Sequence, residues 1–187
     1  MIRPIRIYGD QVLHQRAVEV VNFDQELADL VQDMYETMDA APGVGLAAPQ
    51  IGVGLRVFVY SYPDEEDNPR RGVVINPVLT HSAVENLEPD EETDSEGCLS
   101  FPGERFPVCR GTKVTLEGVD LEQKPIRIEA EGWFARIFQH EYDHLDGIIY
   151  VDKLNFNLRK NAFEVMQERG WNKPGCSWLP GKDHLED

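Results

Sequence analysis

Two histidines and a glutamate near residue 140 have types and a spacing that suit metal-assisted hydrolysis. His140 and His144 are four residues apart, so on an α-helix their side chains lie one turn apart on the same face, with Cβ atoms about 5–6 Å apart. Two imidazoles placed in this way can bind one metal ion. The Glu141 side chain is turned roughly 100° around the helix axis relative to that of His140. The His-Glu-x-x-His pattern therefore predicts two metal ligands and a carboxylate that takes a proton from metal-activated water.

The neighbouring residues predict the helix that this arrangement requires. Apolar residues recur there at three- and four-residue spacing, namely Phe134, Ile137, Phe138 and Leu145, and a glycine follows as a stop signal. A lone histidine on such a helix is usually a packed core residue. The i, i+4 pair with a glutamate after its first member favours a metal site instead.

A catalytic ion of this kind needs a third protein ligand, and the residues alone leave several candidates. They are Cys98, Cys109, His14, His81, His184, Glu164 and Glu168. Cys98 is favoured because Gly97 before it and a proline after it predict a turn that presents the thiol. A divalent cation also stabilises a thiolate strongly.

The elements around the metal-binding helix predict an α+β fold. An irregular N-terminal arm is expected over residues 1–21, followed by a helix that begins after Asp24 and ends near Asp39. The segment 42–50 is rich in glycine and proline and excludes regular helix. Strands are expected at 55–60, 72–79, 113–119 and 126–131, a second helix at 155–169 and an extended tail at 170–187. We expect one domain over residues 1–187, with short antiparallel or mixed β-sheets surrounding a central metal-binding α-helix and a C-terminal helix.

The composition indicates a soluble protein of a reducing compartment. Hydrophobic residues make up 41% of the 187 residues and charged residues 28%, which is enough for one domain with a core. The first twenty residues contain no apolar run typical of a signal peptide or membrane span, and three cysteines, an odd number, argue against a disulfide scaffold. A net charge of −16 disfavours nucleic-acid binding, and the acidic segments 64–67 and 85–96 predict solvated loops. The expected location is cytoplasmic, with neither membrane nor nucleic acid as a direct partner.

Three segments together resemble the signature motifs of bacterial peptide deformylases. They are residues 43–50 (GVGLAAPQ), 96–100 (EGCLS) and 139–145 (QHEYDHL), and their order and spacing are similar to that family from about residue 5 to 170. The Trp-Leu-Pro-Gly sequence of the tail and the residues before the third motif resemble the actinobacterial branch. The resemblance implies a hydrolase that removes the N-formyl group from N-formyl-methionyl nascent polypeptides and releases formate. Such substrates also imply a transient association with the ribosome.

The resemblance implies a role for each matching residue of the metal site. Cys98, His140 and His144 become the ligands of one divalent ion per chain, and Glu141 becomes the general base and acid. The family implies Fe²⁺ in the cell, with Zn²⁺, Ni²⁺ or Co²⁺ as alternative occupants. General coordination rules do not separate these ions.

Four further residues receive roles from the same resemblance. The Gln50 side chain and the backbone N–H of Leu99 would donate to the formyl oxygen, where negative charge collects as the carbonyl becomes tetrahedral. Glu96 and Arg105 would form an ion pair that braces the cysteine turn.

A substrate pocket is expected beside His140. Residues three, four and seven positions before it share its helix face, and the family implies an apolar slot there for a methionine side chain. Gly45 and Gly97 would pair with the peptide backbone. The expected substrate-binding residues are Val44, Gly45, Gly97, Trp133, Arg136 and Ile137. Arg136 replaces an expected aliphatic residue, so either its stem lines the slot with the charge at the mouth or it pairs with an acidic neighbour.

Two other hypotheses fit parts of the pattern. In a zinc peptidase, Glu164 would supply the third ligand and Cys98 would be incidental. In a non-enzymatic metal-stabilised module, Cys109 would join Cys98, His140 and His144 to close the site, although closed sites normally draw their ligands from tighter spacing.

Overall fold

In the computed structural model the chain is an α+β protein built on one central helix. The structure describes residues 1–64, 66–84 and 88–186, so the parts of the predicted acidic loops and tail at 65, 85–87 and 187 lie outside the described residues. In chain order the described elements are β1 (Ile5–Arg6), α1 (Gln25–Ala40), β2 (Gly45–Ala47), β3 (Val57–Pro63), β4 (Pro69–His81), β5 (Ser95–Cys98), β6 (Phe101–Pro107), β7 (Lys113–Val119), β8 (Pro125–Glu131), α2 (Gly132–Leu145), α3 (Phe156–Glu168) and β9 (Ser177–Trp178).

The predicted helices and strands are confirmed with small shifts at their ends. Helix α1 begins after Asp24, whose side chain accepts a hydrogen bond from the backbone N–H of Leu27 at 3.1 Å, as expected of an N-cap. Strand β3 begins two residues after the start of the predicted segment 55–60, and strands β4, β7 and β8 cover the other three segments. Strands β7 and β8 pair as the expected hairpin.

The largest sheet positions the central helix. It is antiparallel throughout, with strand order β2-β3-β4-β7-β8. One side of α2 packs on it through Phe134 and Phe138, which join Phe58, Tyr60 and Leu116 in a buried apolar cluster. Because this side of α2 is fixed to the sheet, the side that carries both histidines is held towards the rest of the molecule.

A short hairpin of β5 and β6 lies against the histidine side of α2. The two strands form their own antiparallel sheet, in which Gly97 pairs with Arg105 and Cys98 with Phe101. Phe101 is fully buried and contacts Tyr150 edge to face. This packing fixes the turn that carries Cys98.

The two ends of the chain are more ordered than the sequence predicted. The predicted irregular arm contains β1, and the predicted extended tail contains β9, which pairs with β1 through Ile5 and Trp178. Trp178 is buried, and its Nε1 donates to the backbone oxygen of Leu99 at 2.8 Å. Strands of two residues that pair across most of the chain length leave no local pattern, which is why both were missed. None of the helices in the described residues has the length and apolar character to cross a bilayer.

Candidate metal centre

A cavity of about 390 Å³ opens between α2, β2, the β5–β6 hairpin and the end of the tail. Every predicted site residue lines it except His144, which is buried in contact with Cys98. The three sequence motifs, which are up to about 100 residues apart, therefore meet in one place.

The cavity contains a group of three metal-type donors. Cys98 Sγ lies 3.2 Å from His144 Nε2, and the donor atoms of Cys98, His140 and His144 all lie within 4.8 Å of one another. A tetrahedral ion with bonds of about 2.0–2.3 Å separates its donors by roughly 3.3–3.8 Å. One sulfur and two imidazole nitrogens at these separations fit a divalent transition-metal ion, and three protein ligands leave one tetrahedral position for a reactant.

Glu96 orients the first histidine. The Glu96 carboxylate lies 2.9 Å from His140 Nδ1, so the other ring nitrogen, Nε2, is the one left to face the donor group. Outer contacts of this kind fix the tautomer and the angle of a metal-binding imidazole. Burial opposes the ionisation of Glu96, but Arg110 and His140 outweigh it and hold the pKa of Glu96 well below its usual range.

The predicted ion pair between Glu96 and Arg105 is wrong, because Arg110 takes that place. Arg110 Nε and Nη2 each donate to one Glu96 oxygen at 2.8 Å, and Arg110 also pairs with Asp143. Successive side chains of a strand point to opposite faces. Arg105 stands opposite Gly97 rather than Glu96, is exposed, and donates to the backbone oxygen of Ser95 instead.

Arg110 should therefore matter far more for stability than Arg105. We expect Arg110→Met to lower the free energy of unfolding by about 3–5 kcal/mol, because it leaves two carboxylates short of a partner in the interior. Arg105→Met should change it by less than about 1 kcal/mol, as exposed substitutions usually do. Urea denaturation of both variants measures the difference. Equal losses would contradict the pairing of Glu96 with Arg110.

Arg136 pairs with acidic neighbours, which is the second of the two arrangements predicted for it. Its Nη1 lies 2.9 Å from the Glu96 carboxylate, and its Nη2 pairs with Asp94. The guanidinium is thus engaged with acidic neighbours, while the residue also lines the cavity. Trp133 lies beside it, with the guanidinium carbon 5.2 Å from the ring centroid.

Glu141 is buried and lines the same cavity as Cys98 and His140. A Cβ added at Gly45 would lie 2.3 Å from Glu141 Oε1, so only glycine leaves room for this carboxylate. Glu141 Oε2 has no hydrogen-bond partner among the described residues, and burial raises the pKa of the carboxyl to about 7, partly opposed by His140. A carboxyl group whose pKa is near neutrality can both accept and release a proton under ordinary conditions.

Gln50 is held rigidly with its amide nitrogen towards the cysteine. Its Oε1 accepts from the backbone N–H of Ala47 at 2.8 Å, while its Nε2 lies 3.3 Å from Ser100 Oγ and 3.7 Å from Cys98 Sγ. The side chain is 1% exposed. Both amide hydrogens are engaged by these contacts, so donation to a ligand in the cavity would replace the longer contact with the cysteine sulfur.

Part of the cavity lining is apolar and exposed. Val44 is 46% exposed and Trp133 is 41% exposed, whereas Ile137 is buried. Exposed apolar side chains around a concave site are typical of a surface that binds an apolar group.

The comparisons with known proteins decide the family. The family model described as polypeptide deformylase matches residues 2–160. The chain belongs to the polypeptide deformylase family. It is 50% identical over 189 aligned positions to a peptide deformylase of Mycolicibacterium vanbaalenii, covering 97% of this chain and 96% of the relative. A Mycolicibacterium paratuberculosis peptide deformylase is 49% identical over 186 positions, covering 96% and 94%. These relatives agree with the resemblance to the actinobacterial branch.

Solved deformylase structures have the same fold. The peptide deformylase of Thermus thermophilus is 42% identical with a TM-score of 0.76, and the comparison covers 90% of this chain and 95% of that one. The Legionella pneumophila enzyme is 38% identical with a TM-score of 0.77, covering 91% and 96%. The chain is thus a metal-dependent hydrolase that removes the N-formyl group from formylated peptides.

The two other hypotheses are not favoured for this deformylase. Glu164 lies on α3 and is exposed, and its Oε1 is 3.7 Å from Lys160 Nζ. Cys109 is outside the donor group formed by Cys98, His140 and His144. Neither residue lines the cavity.

Sequence reasoning did not assign several residues of the site, among them Arg110, Ser100 and Glu186. Ser100 lies inside the second motif, so its proximity to Gln50 could have been considered from the resemblance. Arg110 and Glu186 lie outside the motifs and have no spacing that connects them to the site.

Proposed function

We propose that Cys98, His140 and His144 hold one divalent metal ion and that Glu141 is the acid–base residue of the deformylation reaction. The observation that carries this proposal is the donor group of these three residues, with the buried Glu141 carboxylate in the same cavity. A bound divalent ion would lower the pKa of a water molecule towards neutrality and polarise a carbonyl group.

The protein groups around the donor site would then carry the proton and the developing charge. Glu141 accepts a proton from the attacking water and delivers it to the nitrogen of the departing amine, because an amine leaves poorly as an anion. The C–N bond of the formamide breaks, and formate and a free N-terminal amine are the products. Gln50 Nε2 and the backbone N–H of Leu99 donate to the formyl oxygen as it gains negative charge.

We assign the peptide side of the cavity to the remaining predicted residues. Strands β2 and β5 each have one edge without a partner strand in the described sheets, so Gly45 and Gly97 can hydrogen-bond to an extended peptide between them. Four residues would form the slot for the methionine side chain, namely Val44, Trp133, Arg136 and Ile137. Arg136 contributes its stem, because its guanidinium is taken up by Asp94 and Glu96.

The amide of Gln50 should contribute strongly to turnover. We expect Gln50→Ala to lower kcat/KM by about 10²–10³-fold, as removal of one preorganised oxyanion donor typically does. Steady-state kinetics on a formyl-Met peptide measures this, with metal content determined in parallel. A variant that keeps its metal and loses less than about fivefold in kcat/KM would remove Gln50 from this role.

We further propose Fe²⁺ as the physiological ion, with Zn²⁺, Ni²⁺ or Co²⁺ as substitutes. A thiolate with two imidazoles accepts all of these ions, so this choice rests on the family alone. Metal analysis of protein purified without oxygen tests it.

We propose that the natural substrates are N-formyl-Met nascent polypeptides. The protein would bind them during transient association with ribosomes in the cytoplasm. The net charge of −16 argues against direct, sequence-specific contact with nucleic acid. The odd number of cysteines, three, argues against a disulfide scaffold and supports a reducing compartment.

The direct test of the function is formate release from a formyl-Met peptide by metal-loaded protein. The expected result is one formate and one free amine for each peptide consumed. A protein that holds its metal and releases no formate would overturn the proposal.

A further inference from the structure

The two terminal segments of the chain hold the backbone that follows the cysteine ligand. They pair with each other through β1 and β9, and each gives one hydrogen bond to the turn after Cys98. The backbone N–H of Tyr8, close to β1, donates to the Ser100 oxygen at 2.9 Å. The indole N–H of Trp178, in β9, donates to the Leu99 oxygen at 2.8 Å. Two consecutive carbonyl groups are therefore fixed from outside the β5–β6 hairpin.

The carbonyl group that Trp178 holds belongs to a peptide unit that also contacts the cysteine sulfur. A peptide unit is planar, so the carbonyl of Leu99 and the N–H of Ser100 turn together. The Ser100 N–H donates to Cys98 Sγ, with nitrogen and sulfur 3.4 Å apart. Because Trp178 fixes one side of this plane, it also fixes the direction in which the other side donates to the sulfur.

A hydrogen bond to a thiolate changes its behaviour as a metal ligand. The donor withdraws electron density from the sulfur, and outer contacts of this type orient the ligand and tune the metal. Donation by the indole to the Leu99 carbonyl strengthens the Ser100 N–H as a donor, because hydrogen bonds linked in a chain polarise one another. The indole, the peptide unit and the sulfur form a chain of this kind.

The surroundings of the indole exclude solvent. Trp178 is 3% exposed, and Ser100 is completely buried. A buried indole N–H requires an acceptor, and the structure provides the Leu99 oxygen. A ring without an N–H at this position would remove the constraint on the peptide unit that faces the sulfur.

We propose that Trp178 is a positioning residue of the metal centre, which acts on Cys98 through the peptide unit between Leu99 and Ser100. Through this contact the tail tightens metal binding and lowers the electron density of the ligand sulfur, although Trp178 itself does not line the cavity. This inference rests on the proposed metal site.

The first measurement is the affinity for a metal ion. Trp178→Phe keeps an aromatic ring and removes the N–H. We expect it to raise the dissociation constant for Co²⁺ by about 10–100-fold, as loss of an outer contact of a metal ligand typically does. Competition with a chelator measures this constant without any peptide assay.

The second measurement reports on the sulfur itself. Co²⁺ bound to a thiolate gives a sulfur-to-metal charge-transfer band in the near ultraviolet. Its energy falls when the sulfur loses a hydrogen-bond donor, because the sulfur electrons are then more easily moved to the metal. We therefore expect the band of Trp178→Phe to lie at longer wavelength than that of the wild type. A role limited to packing would leave the band of the metal-bound form in place.

Two further proteins separate the hydrogen bond from the packing. Trp171→Phe is the same change at another buried ring, which packs on Phe101 and whose indole nitrogen makes no hydrogen bond to any described residue. This control should keep the wild-type affinity and band. 3-Benzothienylalanine at position 178 keeps the shape of the indole and has sulfur in place of the N–H. It should reproduce both effects of Trp178→Phe, and it decides the matter if that variant does not fold.

The outcomes separate this inference from the proposed function. Unchanged affinity and an unchanged band in the proteins altered at position 178 would overturn the role of Trp178 and leave the metal site intact. Loss of affinity without a shift of the band, or an equal loss in Trp171→Phe, would also overturn it, because packing would then explain the effect. A wild-type protein that binds Co²⁺ without a thiolate band would overturn the proposed ligands and this inference together.

Discussion

Replacement of Cys98 by alanine is expected to empty the metal site and abolish deformylation. The donor group of Cys98, His140 and His144 would lose its only sulfur, and two imidazoles alone hold a divalent ion weakly compared with a site that also has a thiolate. We expect the bound metal to fall from about one per chain to near zero after dialysis, with formate release falling below detection. Elemental analysis of the dialysed protein measures the first effect, and a peptide assay measures the second.

Two further variants make this experiment specific to Cys98. Glu164→Ala removes the third ligand of the peptidase hypothesis and Cys109→Ser the fourth ligand of the closed-site hypothesis, and both variants should keep a full complement of metal. Glu164 is exposed on α3, and Cys109 lies outside the donor group. If Cys98→Ala keeps its metal while Glu164→Ala loses it, the third ligand comes from α3 and not from the cysteine turn.

The central helix and its ligands were predictable from the sequence because their signal is local. The spacing of His140 and His144 specifies one helix face, and Phe134 and Phe138 specify the opposite side, which packs on the large sheet. Both sets of residues lie within one fourteen-residue helix. A period of 3.6 residues was therefore enough to predict both the helix and the direction of its ligands.

The third ligand required information from beyond the helix. Residue chemistry favoured Cys98 but left Cys109 and Glu164 open, and the resemblance to a family reduced the choice to one. The structure brings Cys98 within 3.2 Å of His144 through the β5–β6 hairpin. Neither strand of this hairpin was predicted, because β5 has only four residues and contains a glycine, while β6 contains a glycine and two prolines.

The partner of Glu96 shows why contacts around the ligands are harder to predict. Arg105 and Arg110 are both close to Glu96 in sequence, and the resemblance suggested the nearer one. The register of β5 and β6 decides between them, because it places Arg105 opposite Gly97. Arg110 follows the end of β6 and reaches both Glu96 and Asp143. Strand register is fixed by tertiary packing, so no spacing in the sequence contained this choice.

Replacement of Glu141 by glutamine is expected to stop turnover while leaving the metal site filled. The amide has the shape of the carboxylate and fits beside Gly45, where the space is tight, but it cannot accept a proton from water. We expect kcat to fall by about 10²–10⁴-fold, the range typical of a lost general acid–base group. Formate release measured at saturating peptide gives this value directly.

The same variant should be as stable as the wild type and should bind as much metal. Glu141 is buried with one oxygen unpartnered among the described residues, so exchanging its carboxyl for a neutral amide removes no contact that holds the fold. Metal content near one per chain and an unchanged urea midpoint would therefore assign the lost activity to the proton transfer itself. Glu168→Gln, an equal change at an exposed position of α3, should keep full activity. Loss of a general acid–base group lowers the rate by at least about 10²-fold. If Glu141→Gln retained more than about a tenth of the wild-type kcat, another group would have to carry the proton.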